Sequence, residues 1–491
     1  MTKATRPILL FFPKTGPDFL EPPFGLVSLG TALKQAGFDV HIIDARIEDY
    51  KQAVQDCIKK GTLPLFCGVS SMTGPQIFHA INISKYIKRA FPEVPVVWGG
   101  LHVTLTGTQS IQEPFIDYIL RGYSDHTIVQ LAEAIMRGET ELMGIDGIVY
   151  KTPQGIRSSA NLPNVDVSLL PEPDWGLVSL PNYVNSLYFQ EPTVYMFTSR
   201  GCNHSCTFCY SVSVNRRKWQ GRSVEQISSE LDSLEKLAPF EVVFFHDDNF
   251  SVDRARLTGV VDILKRKKKK FVLSANCANI DDELLDLLAN SGCVRLDFAI
   301  ETGSPLILRR YNKGFKIEQA LTALEAAAAR KIPVNLSFIV GHPEETRKEI
   351  FETLDFIDLV KRRWPDVNII DIKLLTPYPG TPIFKVCEKL GLKAPGSLAE
   401  WGEYYWNSRK LIWSPEADLC VDVSFVSLFA FRYNHLHSDF MILRWVYRML
   451  HMIEGWRWRK RFFAFPVELR AMHLALKTYN RLLQYFNYGW L

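Results

Sequence analysis

At 491 residues the chain is long for one hydrophobic core and predicts about two to four domains. Hydrophobic residues make up 47% and charged residues 22%, a balance that excludes wholesale disorder. A net charge of +4 is too small to argue for a nucleic-acid binder, and no nucleic-acid partner is expected.

Residues 1–150 alternate strand and helix signals. The run ILLFFP (8–13) predicts a strand, and a helix follows from Leu26 to Gly37. Further strands are predicted at FDVHII (38–43), LFCGVS (65–70), VPVVWGG (94–100) and IDYILRG (116–122). Helices are predicted from about Gln76 to Ala90 and from about Thr127 to Met136. Short apolar strands between helices imply a parallel, doubly wound α/β sheet. Such sheets place ligands beyond the carboxyl ends of their strands. Those ends carry Ser70, Ser71, Thr73, Gly99, Gly100 and Gly122.

Residues 151–190 hold Pro153, Pro163, Pro171, Pro173 and Pro181 with little periodicity, and read as an extended linker. Residues 191–390 return to β–α units, with strands at 194–199, 241–247, 271–276, 295–301, 334–341 and 369–377. Six units make a partial (β/α)6 barrel, short of the eight that close one. Residues 391–491 hold seven of the eleven tryptophans and read as a helical, aromatic-rich domain. Basic and aromatic residues interleave there, which fits either an aromatic core or an interfacial helix over a large apolar substrate. The run KRKKKK (265–270) reads as a solvated helix end.

The start, MTKATRPILLFF, has no long apolar region or cleavage site, so no secretory signal is read. No stretch reaches the ~18 uninterrupted apolar residues of a spanning helix. The nine cysteines are odd in number and mostly scattered, unlike a disulfide framework. A cytoplasmic location is expected, and an interfacial C-terminal region would add peripheral contact at the inner face of a membrane.

Three cysteines cluster in TSRGCNHSCTFCYS (198–211): Cys202, Cys206 and Cys209. Thiolates are soft ligands for zinc or an iron–sulfur cluster. Zinc usually takes a closed set of four ligands, and only His204 stands near to complete one. Three thiolates can instead hold three irons of a four-iron cluster and leave the last open to a substrate. The loop follows the first barrel strand, at the end where barrel active sites lie.

This Cys-x3-Cys-x2-Cys loop, with Phe208 before its last cysteine, resembles the signature of the radical S-adenosylmethionine superfamily. The resemblance spans about 191–390. It implies a [4Fe-4S] cluster on Cys202, Cys206 and Cys209, and cleavage of S-adenosylmethionine to a 5′-deoxyadenosyl radical. It also implies cofactor contacts from HDDNF (246–250) through Asp247 and Asp248, and from ETGS (301–304) through Glu301, Thr302 and Gly303. Ser337 and Gly341, in and beside FIVGHPEET (338–346), complete the set. Each motif alone could be a cap or turn. TPYPGTPIF (376–384) resembles the close of the barrel.

The order of doubly wound domain, linker and barrel is similar to the cobalamin-binding branch of that superfamily. PPFGLVSLGTALKQAGFDVHIID (22–44), GVSSMTG (68–74) and WGGLHVT (98–104) resemble its Rossmann-like cobalamin-binding domain. The branch's Asp-x-His-x-x-Gly motif is replaced by DARIED (44–49), so no histidine ligand to cobalt is expected from that position. Its acidic Gly-Glu-Gly-Glu turn reads GYSD (122–125). The resemblance implies methylation of an unactivated carbon of a hydrophobic substrate, a lipid or tetrapyrrole, with flavodoxin or ferredoxin as electron donor. Alternatives are a radical cyclase or oxidative enzyme of the magnesium-protoporphyrin ester cyclase type, or a non-catalytic cobalamin- or metal-binding protein.

Overall fold

The computed structural model describes residues 6–15, 20–163, 165–185, 189–404, 411–432 and 441–464. The N-terminal unit runs β1 (Ile8–Phe12), α1 (Phe24–Gln35), β2 (Val40–Asp44), α2 (Tyr50–Lys59), β3 (Cys67–Ser70), α3 (Gln76–Ala90), β4 (Val96–Gly99), α4 (Leu101–Ser110), β5 (Tyr118–Leu120) and α5 (Thr127–Arg137). Strand order is β2-β1-β3-β4-β5, all parallel. The order reverses between β1 and β3, which opens a crevice at their carboxyl ends. Strands such as ILLFF are buried on both faces, which is why they carry no polar alternation.

Two elements depart from the sequence expectation. A helix that the sequence did not signal, α4, begins directly after β4, because Gly100 turns the chain with φ 99°. A Cβ there would lie 2.6 Å from the Ser71 carbonyl oxygen, so only glycine fits. The sheet also runs on into the expected linker. A hairpin of β6 (Ile148–Thr152) and β7 (Gly155–Ser158) adds two antiparallel strands beside β5. Beyond it the chain forms single turns, two of them capped by Asp166 and Asp174. Buried Trp175 pins this stretch to the barrel by donating to Glu230 at 3.0 Å.

The second unit holds β8 (Thr193–Met196), β9 (Ser199–Gly201), α6 (Ser211–Val214), β10 (Trp219–Gly221), α7 (Val224–Leu237), β11 (Val242–Phe245), α8 (Arg254–Lys267), β12 (Lys270–Ser274), α9 (Asp282–Ala289) and β13 (Cys293–Glu301). It continues through α10 (Pro305–Tyr311), α11 (Ile317–Ala329), β14 (Val334–Val340), α12 (Arg347–Arg363), β15 (Asn368–Leu374) and α13 (Pro382–Lys389). Six strands lie parallel in the order β15-β14-β13-β12-β11-β8, an open partial barrel. The short β9–β10 ribbon stands at its mouth.

Two long helices follow, α14 (Ala417–Arg432) and α15 (Met441–Lys460). The first covers the open edge strand β15, where the Ile372 N–H donates to Ser427 Oγ at 3.2 Å. Before them, buried Trp401 returns to the N-terminal unit. Its indole donates to Gln109 Oε1 at 2.8 Å, and its ring packs on His102. Among the described residues no helix is long and apolar enough to cross a membrane. The tail readings at Trp406, Trp490 and 433–440 lie outside the described residues.

Candidate active site

Side chains alternate along a strand, so every second residue of the barrel strands faces its interior. At the mouth this produces a cavity of about 300 Å³. Ser274 and Asn276 enter it from the end of β12, Asp297, Ala299 and Glu301 from β13, and Asn335 and Ser337 from β14. Cys202, Cys206 and Cys209 form one wall. Their loop leaves β9 at Gly201, whose φ of 84° and contact with the Lys218 carbonyl admit no side chain. The Thr207 N–H donates to the Tyr311 carbonyl at 2.9 Å, and Phe208 packs edge-on against the Tyr311 ring at 4.8 Å.

Burial pushes all three thiols up, Cys209 to about 12. The charge of Lys313 pulls Cys206 the other way. Each thiolate therefore needs a cation bound to it. Among the described residues no three His, Cys, Asp or Glu side chains are grouped for a single metal ion. His204 meets Asn276 at 3.0 Å instead of completing a set. Three soft donors on one cavity wall suit a cluster that takes each on a separate iron.

The adjacent aspartates part company. Asp247 is 3% exposed and accepts from the Thr198 N–H and Oγ1, both at 2.6 Å, and from Ser199 Oγ at 2.7 Å. It ties the exit of β8 to the exit of β11 and does not line this cavity. Asp248 opens into the cavity, where burial and then Asp247 push its carboxyl up. Glu301 lines the cavity at φ 71°, with Lys313 Nζ at 3.6 Å. Thr302 and Gly303 do not line it. Thr302 bonds Thr353 at 2.9 Å, and Gly303 is packed against Phe356 of α12. Ser337 lines the cavity, whereas Gly341, at φ 99°, lies against Leu411 and donates to Glu345 at 2.5 Å.

A second cavity of about 770 Å³ lies between the carboxyl edge of the first sheet and the barrel mouth. Ser70, Ser71, Gly99, Gly100 and Gly122 line it. Thr73 does not: it is 7% exposed and bonds His102 at 2.9 Å behind the wall. The small residues leave backbone open to a broad, flat ligand, which fits a macrocycle. Arg46, in DARIED, also lines this cavity, held by Asp44 at 2.5 Å and stacked over Phe12 at 4.4 Å. No histidine is among the lining residues.

Sequence reasoning missed Arg200, Asp125 and Lys313. Arg200 reaches from β9 to Asp125 on the N-terminal unit at 2.6 Å. Burial pushes the Asp125 carboxyl up, but Arg200 and Ser28 outweigh it and leave it low. The only available signal was position: Arg200 precedes the cysteine loop, and Asp125 ends GYSD.

Comparisons with known proteins bear on this architecture. The B12 binding domain model matches residues 17–132, and the Radical SAM superfamily model matches residues 196–357. An uncharacterized methyltransferase, PH0819 of Pyrococcus horikoshii, is 30% identical over 371 residues, covering 74% of this chain and 78% of its own. The anaerobic magnesium-protoporphyrin IX monomethyl ester cyclase of Rubrivivax gelatinosus is 26% identical over 375 residues, covering 74% and 66%. In fold, the chain is similar to the radical S-adenosylmethionine methyltransferase TsrM from Kitasatospora setae, solved with cobalamin and a [4Fe-4S] cluster. The TM-score is 0.66 at 20% identity, over 80% of this chain and 76% of that one. With a cysteine wall on one cavity and a small-residue rim on the other, the chain belongs to the cobalamin-binding radical S-adenosylmethionine superfamily, as a methyltransferase that uses a [4Fe-4S] cluster, S-adenosylmethionine and cobalamin.

Proposed function

We propose that this enzyme methylates an unactivated carbon of a hydrophobic substrate, a lipid or a tetrapyrrole. In this reading Cys202, Cys206 and Cys209 hold the cluster. Asp248, Glu301 and Ser337 face S-adenosylmethionine in the smaller cavity, while Asp247, Thr302, Gly303 and Gly341 shape its walls. Ser70, Ser71, Gly99, Gly100 and Gly122 face cobalamin in the larger one, with Thr73 supporting that rim. The observation that carries the reading is Asp248, which is the one described residue lining both cavities. When bound, the cluster and S-adenosylmethionine supply a radical that takes a hydrogen atom, and cobalamin supplies a methyl group. The chain's own groups orient both cofactors and keep water from the junction.

Phe12, Phe24 and Phe197 on the larger cavity's wall favour an apolar substrate. The Rubrivivax relative acts on a tetrapyrrole ester, which supports that substrate class. Exposed Met452, Trp456 and Phe462 beside Arg459 and Lys460 support peripheral contact with a membrane face. Complete recovery of the protein in the soluble fraction of a liposome flotation would remove that contact. A reduced flavodoxin or ferredoxin supplies the electron.

The test is anaerobic reconstitution with candidate lipids and tetrapyrroles and with deuterium-labelled methyl on S-adenosylmethionine. Labelled methyl in the product supports methylation. Ring formation without label supports a cyclase. No 5′-deoxyadenosine from a fully loaded, reduced protein would sink the catalytic reading.

A further inference from the structure

Between α6 and β10 the chain carries three consecutive cations, Arg216, Arg217 and Lys218, all exposed. Arg216 and Arg217 both sit in the left-handed region, at φ 52° and 63°. Among the described residues they are the only non-glycine pair to do so in succession. Left-handed backbone is unfavourable for a residue with a Cβ, and it persists where the surrounding structure or a function requires it. Neither arginine forms an ion pair with a described residue, and neither lines the two cavities above, so binding in those cavities does not explain them.

Their position is informative. The segment closes the ribbon that holds the cysteine loop: Trp219 pairs with Gly201, and the Lys218 carbonyl touches Gly201. Cys202 is the next residue and lines the smaller cavity, and Asn203 beyond it is exposed. The cations therefore lie on the ribbon that carries the cysteine loop, beside its exposed residue Asn203.

Resting on the cofactor reading above, we propose that Arg216, Arg217 and Lys218 form the docking surface for an acidic electron-carrier protein. The reduced carrier, a flavin or iron–sulfur protein, gives up one electron there and is oxidised by one electron; the cluster on the cysteine loop gains it. Exposed cations steer an anionic partner and set its association rate and salt dependence.

The experiment uses the loaded protein under anaerobic conditions and flavodoxin hydroquinone as the probe. Cluster reduction is followed by electron paramagnetic resonance, and flavodoxin binding by titration calorimetry. Arg216→Glu with Arg217→Glu lowers the flavodoxin-driven rate by about tenfold or more and flattens its salt dependence. Reduction by dithionite, which needs no docking, stays unchanged. Arg216→Gly with Arg217→Gly relieves the left-handed strain and still loses binding, which separates charge from folding. Unchanged flavodoxin binding and rate in both variants would overturn the proposal. An equal loss with dithionite would also overturn it, because the segment would then be holding the cysteine loop. Loss of binding to vesicles of anionic lipid, with flavodoxin binding intact, would assign the surface to a membrane instead. If dithionite fails to reduce the wild-type protein, the cofactor reading fails, and not this one alone.

Discussion

Arg200 grips both carboxylate oxygens of Asp125, at 2.6 and 3.1 Å, across the seam between the N-terminal sheet and the barrel. Ser28 of α1 joins them at 3.0 Å from Arg200. Asp125 is nearly inaccessible, so its charge depends on this partner. Arg200→Met leaves that buried charge without its counter-charge, with only the Ser28 hydroxyl beside it, and should cost about 3 kcal/mol. Urea unfolding of the cofactor-free protein checks it. A loss under ~0.5 kcal/mol would show that the pair contributes little, as exposed pairs usually do.

The cysteine prediction is a contrast. Replacing any one of Cys202, Cys206 or Cys209 with Ala should abolish stable iron and sulfide incorporation. Cys67→Ala and Cys420→Ala should not, since those thiols are buried away from the cavity. Iron and sulfide quantification after reconstitution decides it. Full iron content in the Cys206→Ala protein would remove the cluster from this loop.

The two aspartates should separate folding from binding. Asp247→Ala strands the Thr198 N–H and two hydroxyls and should destabilise the protein by about 3 kcal/mol. Asp248→Asn should leave stability within about 0.5 kcal/mol and weaken S-adenosylmethionine binding by roughly tenfold. Equilibrium binding beside thermal unfolding tests both, and the reverse pattern would exchange their roles.

Glu345 gives a pH dependence. It is fully buried, and burial pushes its carboxyl up from 4.5 to about 7, against the pull of the Gly341 and His342 N–H groups. The folded state thus holds a proton that the unfolded chain releases. Stability from this group is complete below about 4.5 and is lost as pH rises towards 7, at up to about 1.4 kcal/mol per unit. Glu345→Gln keeps an acceptor for those N–H groups and has no proton to lose. Relative to wild type it should gain stability between pH 5 and 7. A pH-independent difference would rule this out.

Much of the fold was legible because parallel strands buried on both faces leave continuous apolar runs, as in ILLFF and VVFF. The β6–β7 hairpin was not, because Pro153 interrupts it and β7 is largely exposed. The cysteine loop was legible as a local pattern. Asp247 and Asp248 were legible as a pair but not as individuals: neighbours at a strand end face opposite sides, and only packing says which turns inward. The Arg200–Asp125 clasp joins residues 75 apart, and nothing local to either announces the other.

The return of Trp401 to the first unit reaches into how the protein is made. Its partner Gln109 leaves the ribosome 292 residues earlier. Together with Leu398, Trp401 completes the apolar layer that Trp98 of β4 shares with Val103 of α4. During synthesis that layer, covered in part by α2, α3 and α4, therefore stays incomplete until the barrel strands have emerged. The N-terminal unit is first in the chain yet is finished only after the barrel strands, so a nascent chain stalled within the barrel would present an unfinished apolar patch to chaperones.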